Sequence, residues 1–175
     1  MKKIFLIIGF ICFQNFFAQN IMDFDLKNVE LQGMQPVKIN KEMKSAGITQ
    51  VPFVTDNPDI ISKVAGKEMA SKVKKIYFFP YDDPKDDLND GGVYVYQFNT
   101  KKDLDHYLAK NFEQDNYRIL VKDLFCIRIW SDYGYNIKGK ETSEDHLNKL
   151  EKYYTNLGAK KIRLKPDTSN VTVVQ

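Results

Sequence analysis

Two stretches of this sequence hold residue types at spacings that could do chemistry. The first is Asp82, Asp83, Asp86, Asp87, Asn89, Asp90, Gly91 and Gly92. Calcium takes roughly six to eight oxygen ligands, and a loop this dense in carboxylates can supply them. The spacing departs from a calcium loop, however. With Gly91 as the turn glycine, Leu88 stands at the third position, and Gln97 stands where a bidentate glutamate belongs. Aspartate and proline are also ordinary in solvated loops. Calcium on Asp82, Asp83, Asp86, Asp87 and Asp90 is therefore the one metal expectation, set against a surface loop, and no other cofactor is implied.

The second stretch runs from Trp130 to Lys140, where Trp130, Tyr133 and Tyr135 alternate with Asp132, Asn136, Lys138 and Lys140. Aromatic rings with polar neighbours on a long loop can stack on a sugar or grip a peptide. They can equally seal the edge of a small core while their polar atoms reach water. Together with Arg118 and Arg128 on the preceding strands, Trp130, Tyr133 and Tyr135 form the expected ligand-binding set.

Catalytic signatures are thin. His106 and His146 lie on separate expected helices with no second ligand or serine at useful spacing, and zinc needs three or four ligands in a recognisable pattern. Cys126 sits inside an alternating strand, where a thiol packs rather than attacks. No glycine-rich phosphate loop is present. The sequence predicts no catalytic residues.

Composition removes further classes. Met1, Lys2 and Lys3 precede the apolar run Ile4–Cys12, with Phe13, Phe16 and Phe17 beyond and Ala18 as the small residue before a cut, a signal-peptide layout over 1–18. The apolar run stops short of the roughly 20 residues that span a bilayer. Without Lys2 and Lys3 the 26 basic residues become 24 against 23 acidic ones, and the formal charge falls from +3 to +1. Nucleic-acid binding wants clustered basic residues and is not expected. Cys126 is then the only cysteine left, so an internal disulfide is excluded. The expectation is an exported protein, periplasmic or secreted, with no membrane span after cleavage.

The elements that position these residues follow from periodicity. Residues 19–54 read as an irregular N-terminal segment, 55–165 as one α+β domain and 166–175 as a tail. Asp56-Asn57-Pro58 opens a helix whose apolar residues recur through Val73. Lys75–Tyr81 reads as a strand ended, or set at a sheet edge, by Pro80. Then come a strand at Val93–Phe98, a helix capped by Thr100 with Asp103, a hairpin of Tyr117–Val121 and Leu124–Trp130, a helix capped by Thr142 with Asp145, and a strand at Ile162–Leu164. On the hairpin, Phe125, Ile127 and Ile129 read as buried, matched by Ile119 and Val121. That leaves Arg118, Leu120, Cys126, Arg128 and Trp130 on the opposite face.

This order is that of a ferredoxin-like βαββαβ unit, an antiparallel sheet with two helices on one face, preceded here by an extra helix and strand. From Val93 to Leu164 it resembles the SPOR domains of bacterial envelope proteins in element order, in the Thr100 helix cap, in the Tyr117-Arg118-Ile119-Leu120-Val121 strand and in Phe125–Ile129. The resemblance implies a glycan-binding role through an uncovered sheet face. The polar and glycine residues that follow the first and third strands in that family are absent, and Asp132–Glu141 is a longer insertion. Two functions are expected from different classes. One is an exported, non-catalytic binding or interaction protein whose partner is a protein or an envelope glycan. The other is a small metal-dependent hydrolase with a site assembled from distant residues.

Overall fold

The computed structural model describes residues 26, 29–45, 48–110, 117–134, 140–163 and 172–173. The expected signal at 1–18, Tyr135 and most of 164–175 lie outside the described residues. The protein is mixed α+β, built on an antiparallel sheet.

The helices begin where the cap residues place them. Asn57 accepts a hydrogen bond from the Asp59 amide at 2.9 Å and opens α2 (Pro58–Ala65), with Pro58 in the first turn where its missing N–H costs nothing. Thr100 opens α3 (Lys101–Leu108) by accepting from the Asp103 amide at 3.2 Å. Thr142 and Asp145 bond each other's amides in a capping box at the start of α4 (Ser143–Asn156). A short α1 (Lys41–Ser45) precedes them, and a 3-10 turn (Lys67–Met69) follows α2.

The strands are β1 (Gln35–Pro36), β2 (Phe53–Thr55), β3 (Val73–Asp83), β4 (Asp86–Phe98), β5 (Tyr117–Lys122), β6 (Phe125–Asp132), β7 (Lys160–Arg163) and β8 (Thr172–Val173). Their order is β1-β3-β4-β6-β5-β7-β8, with β2 also paired to β3, and every pairing is antiparallel. The segment expected to be irregular thus supplies two strands, and Leu26, Leu31 and Met34 from it are buried.

Three groups of expectations need correction. The acidic stretch is not a loop: β3 and β4 form one long hairpin paired from Val73↔Phe98 to Asp83↔Asp86, leaving only Pro84 and Lys85 between them. Asp83 makes this turn by accepting from the Lys85 amide at 2.9 Å. Nor does Pro80 end its strand. Its carbonyl accepts from Val37 on the outer side of β3, so its missing N–H points to the gap between β1 and β2, where no ladder bond is lost.

The second correction concerns strand order. In the ferredoxin-like arrangement the last strand of the unit returns to lie beside the first. Here β3 already occupies that side of β4, and β7 lies beside β5. The helices consequently do not share a face. The crossovers β4-α3-β5 and β6-α4-β7 move the same way across the sheet but leave from strands of opposite direction, so the right-handed rule puts them on opposite sides. The packing agrees. Leu147, Leu150 and Tyr154 of α4 cluster with Tyr77, Phe79, Val93, Val95, Leu120, Ile127 and Ile129, together with the N-terminal Leu26, Leu31 and Met34. Leu104, Tyr107 and Leu108 of α3, with Ile61 and Met69, cluster with Ile76, Tyr96, Phe98, Ile119 and Cys126.

The third correction is one of parity. In a hairpin with a two-residue turn, even-numbered residues of one strand face odd-numbered residues of the other, and Leu120 pairs with Ile127 while Ile119 pairs with Arg128. Leu120 and Arg118 therefore belong to the α4 face, and Ile119 and Val121 to the α3 face, the reverse of the expectation.

Candidate functional site

The α3 face of the sheet is only partly covered. Near one end α2 and α3 bury Ile76, Tyr96, Phe98 and Cys126. Further along the strands, Phe53, Phe78, Tyr94, Tyr117, Arg128 and Trp130 are all half-exposed. The register places them in two adjacent rows. Phe53, Phe78, Tyr94 and Arg128 form one, on β2, β3, β4 and β6. Pro80, Gly92, Trp130 and Tyr117 form the next.

The rings in these rows are packed on one another. Phe78 and Tyr94 lie 4.4 Å apart at 10°. Trp130 stacks 5.1 Å from Tyr94 and 5.7 Å from Phe78. Gly92 is what lets the indole lie this close: a Cβ there would sit 2.8 Å from the Trp130 ring and 2.3 Å from the Phe79 carbonyl oxygen, at a φ of +150°. The indole N–H donates to Asp90 at 3.3 Å. A third row follows, in which Asp82, Asp90 and Asp132 are cross-strand neighbours.

Arg128 sits at the junction of the open and covered halves. Its guanidinium lies 4.2 Å from the centre of the Tyr117 ring and donates to the Tyr107 hydroxyl, which also bonds Tyr96. Burial pushes the Tyr107 and Tyr96 phenols well above their usual range, so both stay neutral at physiological pH. The phenols around Arg128 thus provide no counter-ion, and among the described residues no carboxylate forms an ion pair with it.

The expected binding set divides between the two faces. Trp130 and Arg128 come together on the open half. Arg118 is on the other side, where it bonds Glu144 of α4 at 2.7 Å and lies 3.8 Å from Glu151. Tyr133 is not an exposed ring: it is buried against His146, with centroids 4.9 Å apart, under the N-terminal segment. Tyr135 lies outside the described residues. Phe78, Tyr94, Tyr117 and Gly92 were not expected in the site. Their signals were present in the alternation of β3 and β4 and in a Gly-Gly pair within a strand.

The aspartates do not converge. Asp83 is buried and bonded to Asn89 and the Lys85 amide, Asp86 accepts from the Leu88 amide, and Asp82 and Asp90 face the α3 side. Of Asp87 only the backbone position in β4 is described. Among the described residues no group of three or more His, Cys, Asp or Glu is placed to hold a metal ion.

One polar cluster escaped the sequence. Ser131 Oγ lies 3.3 Å from His146 Nδ1, and His146 Nε2 is 3.0 Å from the Gln32 carbonyl oxygen. A carbonyl only accepts, so Nε2 carries the proton and Nδ1 accepts from the serine. Ser131 is 1% exposed and His146 0%, which leaves no approach for a substrate. The cluster instead anchors the N-terminal segment, with help from Glu141, which accepts from the Gln32 amide at 3.0 Å while its own amide donates to the Gln32 side chain at 2.8 Å. Cys126 is equally inert: burial pushes its thiol up to about 12.

Comparison with protein-family models, with curated proteins and with solved structures finds no match for this chain. Among the described residues, no helix is long and apolar enough to cross a membrane.

Proposed function

We propose that this chain is an exported, non-catalytic binding module that holds its ligand on the half-open α3 face of the sheet. The observation that carries the reading is Arg128, a half-buried guanidinium set among aromatic rings with no carboxylate partner among the described residues. A charge drawn out of water without an opposite charge beside it costs free energy in the free protein, a cost that an anionic ligand relieves on binding. The surface around it is continuous with the half-exposed rings of Trp130, Tyr94 and Phe78, and apolar groups gathered on one open face suit an interaction site. The hydrolase alternative has less support, since the buried Ser131–His146 pair lacks access and, among the described residues, no three His, Cys or carboxylate ligands are placed to hold a metal.

A SPOR-like role on envelope glycan is the narrower form of this reading. The half-open face with its tryptophan supports it, while the strand order and the placement of α3 and α4 on opposite faces weigh against the architecture behind that resemblance. Export rests on residues 1–18.

The test is retention of the mature protein on purified peptidoglycan and on an immobilised library of short peptides, compared with Trp130→Ala and Phe78→Ala. Retention on either matrix that both substitutions weaken supports the binding face. A wild type retained by neither, or retention untouched by both substitutions, overturns it.

A further inference from the structure

The ring geometry narrows the chemistry of the ligand. Phe78, Tyr94 and Trp130 lie within 22° of parallel to one another, on neighbouring strands. With centroids 4.4–5.7 Å apart and near-parallel planes, the three rings cover part of one another's faces. A sugar ring packs its C–H surface on an aromatic face, and those faces are partly taken. Ring edges carry the positive end of the quadrupole and receive aromatic side chains edge-to-face and carbonyl oxygens head-on. That surface suits a peptide.

Charge narrows it further. Arg128 offers N–H donors in a planar fork, which matches a carboxylate in two parallel bonds. Four residues further along β6, about 13 Å away at strand spacing, stands the row of Asp82, Asp90 and Asp132. Those carboxylates repel a second negative charge, which disfavours polyanions such as nucleic acids.

We propose that this face, on the reading given above, takes a peptide segment that places one carboxylate on Arg128 and an apolar side chain against the Phe78–Tyr94–Trp130 rings. The carboxylate supplies the counter-ion that no described residue provides, and the apolar side chain covers the half-exposed rings. Tyr117 holds the guanidinium from one side and Tyr107 from another, so the fork is oriented before the ligand arrives.

The test uses N-acetyl-phenylalanine as a minimal probe, its amide as the neutral isostere and tri-N-acetylchitotriose as a neutral sugar. Each is titrated to millimolar concentration against the 15N-labelled protein, following the Trp130 indole N–H and the amides of Tyr94, Tyr117 and Arg128. The acid is expected to shift these signals with at least about tenfold tighter binding than the amide, the range of a charge-assisted hydrogen-bonded pair. Arg128→Gln is expected to reduce the acid to the affinity of the amide. Arg128→Lys, which keeps the charge and loses the fork, should weaken it by a smaller factor and serves if the glutamine variant does not give a folded spectrum. Equal binding of acid and amide overturns carboxylate recognition while leaving the binding face intact. A response to the chitotriose alone overturns the peptide and keeps a glycan-binding face. No response to any of the three overturns both this proposal and the reading beneath it.

Discussion

Gly92 makes the sharpest stability prediction. In Gly92→Ala the new Cβ meets the Phe79 carbonyl oxygen at 2.3 Å and the Trp130 ring at 2.8 Å, at a φ of +150°. The first contact is with backbone in the paired strand and cannot swing away. The dihedral strain contributes about 1–3 kcal/mol, and the overpacking about 1–3 kcal/mol more, giving about 4 kcal/mol in all. Gly158→Ala is the matched control, because Gly158 has a φ of +88° with nothing within 4 Å of the added methyl. It should cost only the backbone term, about 1–2 kcal/mol. With an m-value of roughly 2 kcal/mol per molar in urea, the midpoint should fall by about 2 M for Gly92→Ala and by less than about 1 M for Gly158→Ala. Trp130 is the only tryptophan, so its fluorescence reports on this site alone. The displaced indole should emit at longer wavelength in folded Gly92→Ala and not in Gly158→Ala. If Gly92→Ala costs no more than Gly158→Ala, with unchanged emission, the close packing of the indole on β4 is refuted.

Two further outcomes follow from the faces. Arg118→Gln removes the bond to Glu144 and the longer ion pair with Glu151 and should cost about 1 kcal/mol, a modest value because Glu144 is 59% exposed. Ligand retention and Trp130 emission should be unaffected, and a loss of retention would return Arg118 to the binding site. Burial lowers the His146 pKa, against the opposing bond to Gln32 and the nearby Glu141. The unfolded chain therefore takes up the proton first, so this contribution to stability is complete above about pH 6.5 and declines as the pH falls below it. Chemical denaturation at intervals from pH 7 to 5 should show that slope in the wild type and a flatter one in His146→Gln, and an unchanged slope would show that His146 is not its source.

Much of the fold was legible in local chemistry. Asn57 with Pro58, Thr100 with Asp103, and Thr142 with Asp145 each open a helix because a side chain there satisfies an otherwise orphaned amide, which is a short-range event. The alternation Phe125, Ile127, Ile129 correctly named the buried side of β6. What failed was long-range. Strand order depends on which neighbour claims the free side of β4, and β3 does so through a hairpin whose tip, Asp82 to Asp90, has the composition of a loop. Tertiary pairing overrode that local preference. Arg118 was misplaced for a different reason. The periodicity marks both strands, but the pairing parity across their turn decides the face, and a one-residue slip moves a side chain through the sheet. Ser131 and His146 come together only because α4 folds over β6, and 15 residues separate them in sequence.

The outer side of β3 has a bearing on how this protein behaves in a crowded solution. A strand of 11 residues left open on one side would be a template for adding strands from other molecules. Here β1 closes it at Tyr81 and Asp82, β2 closes it from Ile76 to Phe78, and Pro80 fills the interval with a residue that cannot donate. Both covering strands come from the N-terminal segment, which is held in place by Gln32, Glu141 and His146 at some distance from the edge itself. Release of that segment would uncover a long, apolar strand edge, so the same polar anchors that complete the core also guard the chain against self-association.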